Sequence, residues 1–184
     1  MKIIDDLKVY LAKKKIGKIV NHRSVQFFNL ANIKSINILY YFSEPLNIEA
    51  KGQYKEIFEL LSDLRERGIK CEFTFFVKDS IVEAKRVNMT ALTKDNFSRW
   101  TYSPNDTTYT NFMVDESDVL LNLSPVTCWP IEYLAQYSTA KFKIAIQREE
   151  QGAKYDFLFK PSDNTSFPLD AYKQIINYLD VINQ

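Results

Sequence analysis

Ser35-Ile36-Asn37-Ile38-Leu39-Tyr40-Tyr41-Phe42 is a nearly unbroken run of apolar and aromatic residues, closed by Ser43-Glu44-Pro45, where proline cannot donate to a sheet ladder. It reads as a buried strand. After a polar stretch, Tyr54, Ile57, Phe58, Leu61 and Leu64 recur at i, i+3, i+4, i+7 and i+10, the spacing of one helical face. Arg65 and Arg67 occupy the last turn before Gly68, a natural residue just past a helix end. Ile69 to Val77 then alternates, with Cys71, Phe73, Phe75 and Val77 on one side. Strand, helix and strand in this order make a βαβ unit, whose crossover is right-handed.

Outward from this unit the pattern repeats. Asp118-Val119-Leu120-Leu121-Asn122-Leu123-Ser124 is a continuous apolar run of the kind found in central parallel strands, and Pro125 ends it. Thr127 is placed to cap a helix whose first turn holds Pro130 and whose inward residues are Ile131, Leu134 and Ala135. Phe142 to Ile146 and Tyr155 to Phe159 read as further strands. A last helix opens at Pro168 and turns Leu169, Tyr172, Ile175, Ile176, Leu179 and Ile182 inward. Strands interleaved with helices predict an α/β fold, a three-layer sandwich with a mostly parallel sheet of flavodoxin-like or Rossmann-like type. Residues 78–115 are less regular. Ala84 to Leu92 has room for a short helix and a short strand, and Asn96 to Asn111 reads as a polar loop with a turn at Ser103-Pro104-Asn105-Asp106.

The first 23 residues precede this pattern and differ from it in charge. Lys2, Lys8, Lys13, Lys14, Lys15, Lys18 and Arg23 stand against two Asp, a net of +5, while the remaining 161 residues carry 17 basic and 21 acidic groups, a net of −4. A near-neutral total of +1 therefore hides a basic head on a mildly acidic body. Ile3, Ile4, Leu7, Tyr10 and Leu11 share one face of a helix, which predicts that this face docks on the body. Lys14, Lys15 and Lys18 continue the same azimuth. The expected organisation is a basic amphipathic helix over residues 1–23 and one α/β domain over residues 34–184.

Composition narrows the chemistry. With 184 residues and 46% apolar content, a chain of this size buries roughly 70% of its unfolded surface and needs no staple. One His, two Cys and four Gly leave no zinc-knuckle spacing, no Gly-rich phosphate loop and no second histidine for a relay, so no metal or cofactor is assigned. The start lacks the apolar core of a signal peptide and no run reaches the 18 apolar residues of a spanning helix, so a cytoplasmic protein without a membrane span is expected. Cys71 and Cys128 are then free thiols.

Two groups of residues are candidates for function. In open parallel sheets, ligands bind outside the carboxyl ends of the strands. The loops there contribute Glu44 on one side and Ser124, Thr127, Cys128 and Trp129 on the other, and the helix start after Thr127 favours an anion. The same residues also serve as caps and turns, with Trp129 over the sheet edge. Cys128 at a helix start is open to activation as a nucleophile, with His22 the only histidine available as a base, or it is an inert thiol. The second group is Lys8, Lys13, Lys14, Lys15, Lys18 and Arg23, with His22 among them, suited either to RNA phosphates or to packing against the acidic body. Phe97, Trp100, Tyr102 and Tyr109 would add a stacking platform if they share that side. Asp115, Glu116 and Asp118 sit at the amino end of a strand and read as solvated charges.

Ile36-Asn37-Ile38-Leu39, Asp118 to Ser124, Pro130-Ile131-Glu132-Tyr133-Leu134-Ala135 and Ser138-Thr139-Ala140-Lys141-Phe142-Lys143-Ile144 resemble a family of small uncharacterised bacterial proteins, a domain of unknown function. The resemblance implies a stand-alone cytoplasmic, Rossmann-like α/β protein and carries no functional residues with it. The segment from Asp118 to Ile144 is more loosely similar to a strand-helix-strand of nucleotide-sugar glycosyltransferases. Together these readings favour a non-catalytic module that contacts an anionic partner, RNA or a ribonucleoprotein, through the basic helix. The alternative is an enzyme or small-ligand binder for a nucleotide or sugar nucleotide at the carboxyl edge of the sheet, and a third is a structural subunit of an assembly.

Overall fold

Six strands, β1 (Ser35–Phe42), β2 (Lys70–Val77), β3 (Met89–Leu92), β4 (Val119–Asn122), β5 (Phe142–Ile146) and β6 (Phe157–Phe159), form one sheet in the order β3-β2-β1-β4-β5-β6. Every pairing is parallel, with Ile38 opposite Phe73 on one side and Leu121 on the other. This is the strand order of doubly wound Rossmann-type sheets. The structure is a computed structural model that describes residues 2–42, 50–78, 89–113, 116–163 and 168–181.

Alternation along each strand decides which layer it feeds. Ile36, Ile38, Tyr40 and Phe42 of β1, with Phe73 and Phe75 of β2 and Val119 and Leu121 of β4, face α2 (Ala50–Glu66) and α5 (Leu169–Val181) in the larger core. Leu39, Phe76 and Leu120 point the other way, onto Ile131, Leu134 and Ala135 of α4 (Trp129–Tyr137). α2 buries Ile57, Leu60 and Leu64, so its inward face is centred one step away from Phe58, which is exposed. Gly68 ends α2 with φ +74, and Gly68 N–H to Arg65 and Ile69 N–H to Leu64 close its last carbonyls. α4 has cover on both sides, because α1 (Lys2–Ile16) and α3 (Asp106–Met113) pack on its outer surface. The α3 helix replaces the loop expected through Asn111, since Asn105 Oδ1 accepts from Thr108 N–H and starts a turn that the polar composition concealed.

The docking of α1 reverses the expectation. Ile3, Ile4, Leu7 and Tyr10 are 50–84% exposed, whereas Ala12 and Ile16 are buried with Val9 half-buried beside them. The physical reason lies in the partner. The outer face of α4 presents Trp129 and Tyr133, and only the small Ala12 lets a helix axis approach such rings closely. The larger apolar stripe is left facing away from the body.

β5 and β6 are joined without a helix. Residues 147–156 cross on the α4 side, with Ala153 in the core and Tyr155 packed against it, and the connection is held from below by Glu132. Asp118, expected in solvent, is buried at the amino edge of the sheet. It accepts from Lys34 N–H (2.9 Å) and Ser35 N–H (3.2 Å) and pairs with Lys141 (2.8 Å), tying together the starts of β1, β4 and β5. Burial pushes its carboxyl up, but Lys141 and the two amides outweigh that and hold it below the usual range. Asp115 lies outside the described residues.

Candidate functional site

β1 and β4 are neighbours, and the helices that follow them in the chain, α2 and α4, lie on opposite faces of the sheet. A crevice of about 340 Å³ opens at this edge on the α4 side. Its walls are aromatic: Tyr41 from the end of β1, Phe76 from β2, Phe97 and Tyr102 from the segment after β3, and Trp129 from the start of α4. Lys8, Lys78, Lys94 and Arg99 add four cationic residues, and no carboxylate is among the described lining residues.

Of the residues expected at this edge, Thr127, Cys128 and Trp129 do line the crevice. Ser124 does not; it is fully buried behind it. Glu44 lies outside the described residues. Thr127 is not the cap of α4: its hydroxyl donates to the Glu150 carbonyl, and Cys128 holds the N-cap position with no side-chain hydrogen bond. Cys128 is buried, and burial pushes its thiol well above the ordinary range, with the Glu132 charge adding to the rise. That is the environment of an inert thiol rather than of a nucleophile. Cys71, in the larger core, is likewise pushed up by burial to about 12. Trp129 packs with Ala12, Ile16 and Tyr133 as the anchor of α1.

The basic head divides into committed and uncommitted charges. Arg23 is committed: its guanidinium pairs with Asp156 and donates to the Ala140 and Lys141 carbonyls. It is a strap holding the segment after α1 against β5 and not a free cation. Lys13 pairs with Glu150 and lies over the Trp129 ring, 5.7 Å from its centroid. Lys8 stands 5.7 Å over the Trp100 ring, and Lys15 donates to Thr101 Oγ1 at 3.4 Å. Lys14 and Lys18 are exposed and make no side-chain hydrogen bond or ion pair among the described residues. His22 is exposed.

The structure thus brings α1 and the 97–102 segment together on the crevice side. Trp100 is exposed, while Phe97 and Tyr102 turn inward. Tyr109 goes elsewhere, forming an edge-on pair with Tyr137. The 97–104 segment closes on itself: Phe97 bridges Pro104, Ser98 N–H donates to Ser103, and Tyr102 N–H donates to Ser98. Tyr102 has φ +56, the only non-glycine residue with positive φ among the described residues. A bulky side chain held there carries strain, and packing against α1 and Trp129 keeps it in place. Burial, with the Asp5 charge adding to it, raises the Tyr102 phenol pKa.

Sequence reasoning missed Lys78, Lys94 and Arg99. Lys78 follows β2 directly and Lys94 follows β3 by two residues, so the carboxyl-edge rule reaches both once it is applied to the outer strands as well as to β1 and β4. It also missed a buried polar cluster behind the crevice. Glu132 receives Arg148 (2.7 Å), Tyr155 OH (3.2 Å), Asn122 Nδ2 (3.3 Å) and the Gly152 and Ala153 N–H groups (2.9 Å each). Arg148 and Glu132 are buried there as an ion pair. No local pattern signals it, because the partners come from β4, α4 and the 147–156 crossover.

Residues 8–182 match the model of a family of unknown function (DUF6913), and the chain belongs to that family. No curated protein matches it.

Proposed function

We propose that the protein is a binding module without catalytic chemistry, working in the cytoplasm, that contacts single-stranded RNA, alone or within a ribonucleoprotein, through the face made by α1 and residues 97–102. One observation carries the reading. Lys8 over Trp100 and Lys15 on Thr101 join a basic helix to an aromatic segment more than 80 residues away in sequence. Proteins that bind single strands combine these two elements, cations that follow the phosphates and exposed rings on which bases stack. Lys14 on α1 and Lys18 in the turn just past it supply further exposed charge, and Trp100 supplies the exposed ring. The exposed apolar residues Ile3, Leu7 and Tyr10 extend the same surface toward a protein component of a ribonucleoprotein. No helix among the described residues is long and apolar enough to cross a membrane.

The test is fluorescence anisotropy of labelled single-stranded RNA with the full chain across a salt series. Binding should weaken as salt rises, with a log–log slope of about −0.7 for each phosphate neutralised. Replacing Lys14, Lys15 and Lys18 together by Ala should make the slope about 2 units shallower, and Trp100→Ala should weaken binding by roughly 1–3 kcal/mol without changing the slope. Absence of binding at 50 mM salt, or a slope that the triple variant leaves untouched, overturns the proposal.

A further inference from the structure

The crevice beside that face has features that RNA backbone contact does not require. Lys78, Lys94 and Arg99 are exposed at its rim and donate to no acceptor among the described residues, unlike Arg23, Lys13, Lys141 and Arg148, each of which is paired with a carboxylate. Like charges gathered with no counter-charge among the described residues raise the local potential and favour an anion between them. The floor beneath them is apolar, built from the buried rings of Phe76, Phe97 and Trp129. Phe76 and Phe97 meet edge-on at 5.6 Å, so the floor is a packed surface that does not collapse when empty. A volume of about 340 Å³ lies at the small end of the range for small-molecule sites.

We infer that this crevice is a mononucleotide site, taking one nucleoside monophosphate with its base against the aromatic floor and its phosphate among Lys78, Lys94 and Arg99. Tyr102 supports the same conclusion independently. A residue with φ +56 is ordinarily Gly or Asn, and here the strain is spent on placing an aromatic ring in the crevice wall. The site lies at the carboxyl edge of the sheet, where parallel α/β proteins bind ligands, but it is not built as a dinucleotide site. The stretch from Ser43 to Glu49 after β1 contains no glycine, so the sequence lacks the glycine-rich phosphate loop of dinucleotide sites. The inference deepens the RNA reading when the nucleotide is one unit of a strand, and it stands alone when the nucleotide is free.

The experiment titrates the full chain with adenosine monophosphate, uridine monophosphate, adenosine and inorganic phosphate, following tryptophan fluorescence, and repeats the titrations with two variants. Both nucleotides should bind, and each should bind at least tenfold more tightly than adenosine or phosphate alone. Lys94→Ala with Arg99→Ala should weaken nucleotide binding tenfold or more. The Lys14, Lys15 and Lys18 triple variant should leave nucleotide binding unchanged, which separates this site from the helix surface. If labelled RNA binds and responds to the triple variant while no nucleotide binds, the inference fails and the RNA reading survives. If nucleotides bind through Lys94 and Arg99 and RNA does not, the inference stands with a free nucleotide as the ligand and the RNA reading fails. Binding of phosphate as tight as that of the nucleotides overturns the role of the aromatic floor and with it the inference.

Discussion

Lys143 offers a direct test of how the α4 layer is held. Its side chain leaves β5 on the α4 side and is 2% exposed. Its ammonium donates to the Ala135 carbonyl at 2.6 Å and the Gln136 carbonyl at 3.3 Å, groups that the last turn of a helix leaves without partners. Burial lowers its pKa to about 7, with the Arg23 charge pushing the same way and Asp156 opposing it. An unfolded lysine titrates near 10.4, at roughly 1.4 kcal/mol per unit of difference. Below pH 7 the group is charged in both states and contributes no pH dependence. Between pH 7 and about 10.4 the unfolded chain binds the extra proton, so stability rises with pH over this window, by about 5 kcal/mol in all and about 2 kcal/mol between pH 7 and 8.5. The Cys71 and Cys128 thiols, both raised in the fold, act in the opposite sense above roughly pH 8.5, where unfolded thiols ionise. Urea unfolding of the native chain and of Lys143→Met at intervals from pH 6 to 8.5 isolates the lysine. The difference in unfolding free energy should be flat below pH 7 and then climb by about 2 kcal/mol to pH 8.5, on top of a constant offset from the lost hydrogen bonds. Parallel pH profiles for the two proteins would refute the assignment of a depressed pKa and the buried placement behind it.

Three further substitutions test other parts of the packing. Ile16→Ala should cost about 2–4 kcal/mol in urea unfolding, while Leu7→Ser should stay within about 0.5 kcal/mol, since only the first side chain is inside the α1–α4 contact. Glu132→Gln should cost about 3–5 kcal/mol because it leaves Arg148 charged, buried and unpaired, and equal stability at pH 7 would remove the ion pair from the account. A Cβ on Gly152 would lie 2.8 Å from the Trp129 ring, 3.1 Å from Glu132 Cβ and 3.2 Å from Ile16 Cδ1. Gly152→Ala should therefore cost about 1–3 kcal/mol and shift the tryptophan emission, and an unchanged spectrum with native stability would show that the crossover is not seated on the crevice wall.

The fold was legible wherever an element carries its own periodicity. The runs at Ser35 to Phe42 and Val119 to Asn122, the alternation from Cys71 to Val77 and the inward residues of α4 all follow from one-dimensional pattern, and they fix a parallel sheet. Legibility failed where a choice depended on the partner. In α1 both Ile3-Leu7-Tyr10 and Val9-Ala12-Ile16 are apolar stripes, and hydrophobicity favours the first. The rings of Trp129 and Tyr133 decide for the second, because close approach needs a small residue at the crossing point. In the same way Asp118 reads as a solvated charge and Arg23 as a cation for an anionic partner from sequence, yet each collects backbone amides or carbonyls from segments distant in the chain. At the crevice, topology alone points to the loop of Thr127, Cys128 and Trp129, which line it, and not to Lys78, Lys94 and Arg99, since strands β2 and β3 end in residues with no motif around them.

Commitment of charge is what separates the scaffold from the proposed site in this molecule. Asp118 with Lys141, Asp156 with Arg23 and Glu132 with Arg148 each join the amino edge or the crossover to the sheet, and each pairing is closed by backbone hydrogen bonds on the acid. Such groups lose more by being separated than they gain by meeting a ligand, because a buried partner would be left unpaired. Lys14, Lys18, Lys78, Lys94 and Arg99 have no such partner among the described residues. An exposed cation without a partner contributes little to folding, and removing it costs little. Of these, Lys78, Lys94 and Arg99 converge on one aromatic crevice at the carboxyl edge of the sheet. A basic sequence head alone would have placed the contact on α1. On the proposed reading its centre is the junction of that helix with the crevice, where Lys8 belongs to both.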